Sequence, residues 1–367
     1  MGVIKAYTGL LYIGLSVALL ISSCRKDNQV LPDDVETDNS PYDLRIPAFF
    51  PKAVDMPDNP LTEAGVELGR HLFYEPMLSA TNTVSCATCH RQEKGFSDGL
   101  VLSNTGISGK ALKRHSPALF NLAWADQGFF WDGGSKNLES QAFAPLAHPD
   151  EMGSYFPEML SRLSSKEKYI TLFQKAFNEA PSAAGVAKAL AQFQRTIISA
   201  ESRYDLYRRG KTTTSLNASE VRGMNLVQQK CADCHSGELF TDKGFHNNGI
   251  DDDFSDDSHE EIYLGRYRMT RAFIDIGAFK TPSLRNVMVS APYMHDGRFS
   301  SIDEVLEHYR SGIKESLYTD KLLYQSNGNV GIPMTDQDVK DIKAFLSALT
   351  DEEFLKNKQY SNPNKED

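Results

Sequence analysis

Positive charge is in short supply in this chain. Lys and Arg number 39 against 49 Asp and Glu, a formal net charge of −10 over 367 residues. A nucleic-acid binder driven by electrostatics needs a basic footprint, so that class is excluded. Cysteine is scarce too: the five residues at 24, 86, 89, 231 and 234 are too few for a disulfide scaffold. No apolar run reaches the roughly 20 residues that span a bilayer. What remains is ordinary for a folded protein, with 40% hydrophobic and 24% charged residues. The length leaves room for two or three domains at roughly 150 residues each, with cores that need no disulfides.

The N-terminus reads as an address. Residues 1–23 carry a single charge, Lys5, and an apolar run from Gly9 to Ile21 of signal-peptide length. The run ends Leu20-Ile21-Ser22-Ser23-Cys24, and small residues before a cysteine resemble a bacterial lipobox. Cleavage before Cys24 and lipidation of its sulfur are expected, leaving 367 − 23 = 344 residues. Residues 24–45 read as a flexible tether of polar composition. The expected mature protein is a periplasmic body held to a membrane through lipidated Cys24, with the outer membrane favoured.

Four of the cysteines form Cys86-Ala87-Thr88-Cys89-His90 and Cys231-Ala232-Asp233-Cys234-His235. C-x-x-C-H suits c-type haem attachment. Two thiols on one helical turn add to the haem vinyl groups, and the adjacent imidazole reaches the iron. A redox dithiol or half a zinc site are the rival readings. Zinc ribbons pair their C-x-x-C units more closely, whereas these begin 231 − 86 = 145 residues apart. Export agrees with haem, which is attached outside the cytoplasm. The separation places one haem in each of two domains, expected at 46–207 and 208–350, with 351–367 a polar tail.

Periodicity predicts a mainly α protein of two cytochrome c-like domains, each binding one covalently attached haem c. Val186, Leu190, Phe193 and Ile197 share a helix face behind a Ser182 cap. Asn217 with Glu220 and Ser301 with Glu304 have capping-box spacing, the second opening a helix through Tyr309. Thr335 starts a last helix carrying Val339, Ile342, Phe345 and Leu349. Arg208–Ser215 reads as a linker and the acidic run 251–257 as a solvated loop. Strand patterns are scarce, and no internal repeat is evident beyond the motif.

The order of further segments resembles the bacterial di-haem cytochrome c peroxidase/MauG superfamily. They are Leu68-Gly69-Arg70-His71-Leu72-Phe73-Tyr74, Arg114-His115-Ser116-Pro117-Ala118-Leu119-Phe120-Asn121 and Phe130-Trp131-Asp132-Gly133, followed by Phe279-Lys280-Thr281-Pro282-Ser283-Leu284-Arg285-Asn286 and Ala291-Pro292-Tyr293-Met294-His295-Asp296-Gly297. The similarity runs over about residues 46–350. It implies a peroxidase reducing hydrogen peroxide to water with electrons from a small periplasmic cytochrome c or cupredoxin. A dimer is compatible with it.

The resemblance also implies roles. His90 and His235 are the proximal ligands; Gln141 orients peroxide, Glu151 shuttles its proton and Pro145 shapes the pocket. His148 is a rival acid/base group, more simply a loop histidine. Trp131 matches the tryptophan between the two haems. Many relatives carry a further histidine that ligates the first iron at rest; here the matching position is Ile107, so an open first iron is expected. His115 stands where the family has an asparagine beside a calcium ion, which puts that calcium in doubt, although backbone carbonyls near Ser290 and Pro292 could still contribute to a site for one calcium ion. Tyr309 takes the place of the usual methionine as sixth ligand of the second iron, as in MauG-type members. Met294, Met269, His295 and His308 are the weaker alternatives. A phenolate favours higher oxidation states relative to a thioether. Two other functions compete: a MauG-like enzyme that oxidises a partner protein through high-valent haem, and a non-enzymatic di-haem electron carrier.

Overall fold

The computed structural model describes residues 35–211, 215–255 and 260–364. Cys24, the apolar run before it and linker residues 212–214 lie outside them. The chain is mainly helical. The first half holds α1 (Glu63–Phe73), the short turn α2 (Cys86–Cys89), α3 (Leu138–Ala147), α4 (Phe156–Ser164), α5 (Glu167–Phe177) and α6 (Ala183–Thr196). The second half holds α7 (Arg203–Arg208), α8 (Ala218–Lys230), the short α9 (Glu260–Tyr263) and α10 (Tyr267–Thr270), α11 (Ile302–Glu307) and α12 (Asp336–Ala348). A two-residue pair, β1 (Phe245–His246) against β2 (Phe279–Lys280), is the one sheet among the described residues.

Local chemistry opens these helices where expected. Ser182 Oγ accepts from the Gly185 amide at 2.9 Å. Asn217 and Glu220 satisfy each other's backbone amides at 3.0 and 2.8 Å, a full capping box at the start of α8. Thr335 and Asp338 do the same for α12.

Each domain is built around one helix crossing that a glycine permits. In the first, α1 crosses α6 at Gly69, where a Cβ would lie 1.9 Å from the Ala189 carbonyl oxygen and 2.8 Å from Phe193 Cβ. In the second, α8 crosses α12 at Gly223, where a Cβ would meet the Asp341 carbonyl oxygen at 1.9 Å and Phe345 Cβ at 2.8 Å. Only glycine lets the backbones approach this closely.

The halves therefore do repeat, contrary to the sequence expectation. The isolated bridges Phe129–Ser135 and Tyr293–Phe299 correspond, as do left-handed Phe130 and Met294, and Gly133 and Gly297. So do the cap residues Asn137 and Ser301 of α3 and α11. Every pair is offset by 164 positions, for instance 293 − 129. The side chains differ too much for the repeat to show in the letters; backbone geometry reveals it.

Other expectations change. The domain boundary falls before α7 rather than after it. Tyr204 packs with Phe240 and Phe345 in the second core, and Asp205 forms a fully buried bidentate pair with Arg285, both bonds 2.8 Å. The expected tether already joins the first domain by residue 38, whose amide donates to the Lys175 carbonyl, and Tyr42 pairs with Leu61. Residues 351–364 are a strap and not a loose polar tail. Phe354 and Tyr360 are buried in the first core against Phe96. Arg70 donates to the Lys358 and Ser361 carbonyls, and Gln92 to those of Phe354 and Asn357. A Phe354→Ala variant should lose about 3–5 kcal/mol of stability in denaturant unfolding of the holoprotein. A loss below about 1 kcal/mol would mean that the strap is dispensable.

Candidate functional site

The two C-x-x-C-H segments adopt the same local design. Cys86–Cys89 forms one helical turn behind Ser85, and the His90 amide donates to the Cys86 carbonyl at 3.0 Å. Cys231 caps α8, and the His235 amide donates to its carbonyl at 2.8 Å. Each imidazole donates from Nδ1 to the carbonyl of a left-handed phenylalanine: His90 to Phe96 at 2.8 Å, φ 60°, and His235 to Phe240 at 3.2 Å, φ 50°. That bond leaves Nε2 for a metal and fixes the ring plane. Burial lowers the pKa of both imidazoles and raises Cys86 and Cys231 to about 12 and 11. Neutral thiols and neutral imidazoles are what thioether formation and iron ligation need. The described cysteines are all free. A mostly apolar cavity reaches from Cys231, Cys234 and His235 past Trp131 to Gln141, whose Oε1 is buried with no partner. The apolar cavity beside Cys231, Cys234 and His235 fits a porphyrin there, and the matching donor set Cys86, Cys89 and His90 fits a second.

At the first crevice, α3 carries Gln141 and Pro145. The helix is anchored by the bidentate Glu139–Arg195 pair, at 2.8 and 2.9 Å, between its first turn and the last turn of α6. Pro145 has no N–H and no ligating atom. Glu151 follows in the next loop. It acts electrostatically on both Cys86 and Cys89, so its carboxylate lies within electrostatic reach of the first motif. Burial raises its pKa, with His148 partly opposing. His148 is about half exposed, and its Nδ1 lies 3.8 Å from Glu151 and accepts from the Asp150 amide at 3.2 Å. It reads as a loop histidine beside the carboxylate. Ile107 donates its amide to the Glu151 carbonyl at 2.8 Å, so an aliphatic side chain stands at the expected histidine position. The fit is close: a Cβ at Gly153 would lie 2.3 Å from Ile107 Cδ1.

Trp131 sits at the junction of the domains, partly exposed on the cavity wall. Its Nε1 donates to the His115 carbonyl at 2.8 Å, and its carbonyl accepts from the Lys280 amide at 2.8 Å. The His115 amide in turn donates to the His295 carbonyl at 2.8 Å. The His115 ring is buried, donates from Nδ1 to the Leu100 carbonyl at 2.8 Å, and is faced by the Ser290 carbonyl. Where calcium was in question, the Nδ1–H of His115 thus satisfies the Leu100 carbonyl, and Nε2 lies 3.2 Å from Ser97 Oγ. Calcium needs several hard oxygens, and among the described residues no cluster of three or more His, Cys, Asp or Glu is arranged for a metal ion.

At the second crevice the helix expected to run through Tyr309 ends at Glu307, and a π-turn, His308–Gly312, carries the tyrosine. Such turns frequently mark functional positions. Tyr309 lines the cavity, and burial pushes its pKa up to about 12. Asn248 Nδ2 lies 3.4 Å from both the Tyr309 hydroxyl and Met294 Sδ, so these two candidates are neighbours. The other candidates are otherwise engaged. His295 stacks on Phe279 at 3.6 Å and 7°, and its Nε2 is 2.6 Å from the Ile262 carbonyl. His308 Nε2 is 3.0 Å from the Asn248 carbonyl. Met269 is exposed beside Gly134.

By the repeat, Pro145 and Tyr309 are equivalent positions, 309 − 145 = 164, as are Gln141 and Val305. One domain places a residue that cannot ligate where the other places a phenol. Sequence reasoning missed Phe96, Phe240 and Asn248, and also His246. A phenylalanine within six residues of each C-x-x-C-H was the available signal for the first two; the others had none.

Residues 63–213 match the family of di-haem cytochrome c peroxidases. The chain is 38% identical to the methylamine utilization protein MauG of Methylorubrum extorquens, over 82% of each chain. It is 32% identical to the cytochrome c peroxidase Ccp of Escherichia coli, over 77% of this chain and 57% of that one. The crystal structure of a MauG-like protein associated with microbial copper homeostasis superposes with a TM-score of 0.79 at 31% identity, covering 88% of this chain and all of that one. Mass spectrometry of the denatured protein should show two retained porphyrins and no titratable thiol at 86, 89, 231 or 234; one porphyrin would mean that one crevice is vacant.

Proposed function

The chain belongs to the di-haem cytochrome c peroxidase and MauG family, and from that premise we propose that it reduces hydrogen peroxide to two waters, taking two electrons from a small periplasmic redox protein and two protons from solvent. Cys86, Cys89 and His90 would hold one haem, and Cys231, Cys234 and His235 the other, with Tyr309 the second iron's sixth ligand. When bound, the first haem supplies the iron at which peroxide is reduced, and the second stores and relays electrons.

The residues divide the work. Gln141, with its unpartnered Oε1, orients peroxide. Glu151 takes the proton from the inner peroxide oxygen and returns it to the outer one, which then leaves as water. Burial raises its pKa towards the range where it can do both. Pro145 and Ile107 carry no atom that would ligate the first iron, and Trp131 would bridge the domains for electron transfer. The single observation that carries this reading is the asymmetry between equivalent positions: Pro145 beside Gln141 in one crevice, Tyr309 beside Met294 in the other.

A second reading has its own support. A phenolate at Tyr309 stabilises oxidised iron, and the MauG relative has higher identity than the peroxidase. Both fit an enzyme that oxidises side chains of a partner protein. Turnover with reduced cytochrome c or a cupredoxin, against oxidation of a candidate protein substrate, separates the two. The periplasmic, lipid-anchored placement belongs to the same proposal, supported by Ser22-Ser23-Cys24 and by haem attachment outside the cytoplasm.

Stopped-flow mixing of the fully oxidised protein with peroxide should give an immediate spectral change, with no prior reduction. Glu151→Gln should lower kcat at least about 100-fold with both haems retained; near-normal turnover would remove Glu151 from the mechanism. Because the Glu151 pKa is raised, its carboxylate is lost as pH falls through that higher value. The acid limb of the rate should therefore lie above the ordinary carboxylate range and disappear in Glu151→Gln. Ile107→His should convert the oxidised first haem to a low-spin form that reacts only after reduction; an unchanged EPR spectrum would count against the open-site reading.

A further inference from the structure

The cavity wall beside the second motif contains a charged group that the peroxide chemistry leaves unused. His246, on β1, has Nδ1 2.6 Å from Asp320 Oδ2 and Nε2 2.8 Å from Asp242 Oδ2. An ionised carboxylate only accepts, so both ring nitrogens donate and the ring is an imidazolium. Both carboxylates are held by backbone. Asp242 Oδ1 accepts from the Gly244 amide and Asp320 Oδ1 from the Leu322 amide, each at 2.9 Å. The Asp320 amide donates to the Asn247 carbonyl at 3.0 Å, tying this loop to the residue after β1.

The three side chains are half-buried, at 19%, 27% and 23% exposure for His246, Asp242 and Asp320. His246 and Asp320 line the same cavity wall as Cys234, His235 and Tyr309, and the Cys234 sulfur faces the ring. Hydrogen bonding to Asp320 is the largest of the effects that raise the His246 pKa, and Asp242 adds to it. One cation between two anions leaves the triad at −1. Charges in so poorly solvated a wall are weakly screened.

We infer that the Asp242–His246–Asp320 triad sets the reduction potential of the second haem, the imidazolium favouring the reduced iron and the two carboxylates the oxidised iron. The inference rests on the di-haem reading above. His246 and its partners are positioning residues, acting through charge and not through contact with peroxide. The opposed signs separate this role from a structural one. If the triad only pinned the 320 loop to β1, any member's loss would loosen the crevice, and both kinds of substitution would move the potential in the same direction.

The test is spectroelectrochemical titration of purified holoprotein at pH 6, with wild type, His246→Gln and Asp320→Asn compared after a haem count. At that pH a ring paired with one remaining carboxylate stays charged. His246→Gln should shift the second haem's reduction equilibrium at least threefold towards the oxidised form, and Asp320→Asn at least threefold towards the reduced form, with smaller changes at the first haem. Asp242→Asn should move with Asp320→Asn and replaces it if that variant does not load haem. Shifts of one sign, or none, with both haems present overturn the inference and leave the di-haem reading standing. Wild type with fewer than two haems overturns the reading itself.

Discussion

An imidazole that spends its Nδ1 proton on a backbone carbonyl has one nitrogen left to give, and both domains are arranged around that commitment. The acceptors are the carbonyls of Phe96 and Phe240, each in the left-handed conformation. A bulky residue holds positive φ only when its surroundings enforce it. Here the surroundings are aromatic: Phe96 packs against Phe73, Phe354 and Tyr360, and Phe240 against Tyr204 and Phe345. The glycine crossings at Gly69 and Gly223 bring the flanking helices close enough to supply those rings. The core thus determines the proximal hydrogen bond, and the bond determines which ring nitrogen faces the cavity.

On this shared scaffold, function resides in the positions where the repeat is broken. Pro145 faces Tyr309 across the pseudo-symmetry, Gln141 faces Val305, and Trp131 faces His295. The first set has no ligating atom at 145 and a buried, unpartnered amide oxygen at 141. The second has a phenol at 309 and an aliphatic side chain at 305. His295 stacks on Phe279 and holds the Ile262 carbonyl with Nε2, and it shares the cavity wall with its counterpart Trp131.

The junction is stitched by backbone and charge. Trp131 accepts from Lys280, His115 donates to His295, and Arg114 pairs with Asp132 at 2.9 Å beneath Arg268, at 3.1 Å. Burial lowers the pKa of the Lys280 ammonium to about 8, and its Nζ donates to the Lys243 carbonyl at 2.8 Å. The strap beginning at Asp351 adds a second tie. Its carboxylate accepts from Ser199 Oγ and the amides of Ala200 and Glu201, where the chain passes between domains. Two domains joined this way hold their crevices in a fixed relation, which electron transfer between them requires.

The amino-acid letters alone determined the features that local interactions decide. These are both C-x-x-C-H motifs and the capped helices at Ser182, Asn217, Ser301 and Thr335. Each depends on residues within about one helical turn of one another. Tertiary structure alone decided the features that join distant segments. Tyr204 and Asp205 went to the second core because Arg285 and Phe240 lie there, and the apparently polar C-terminus became a strap because two aromatics found space behind Phe96. His246 became an imidazolium because Asp320, 74 residues away, closes on a ring that Asp242 already holds. Such pairings carry no periodic mark in the chain, since the partners meet only after both cores have formed.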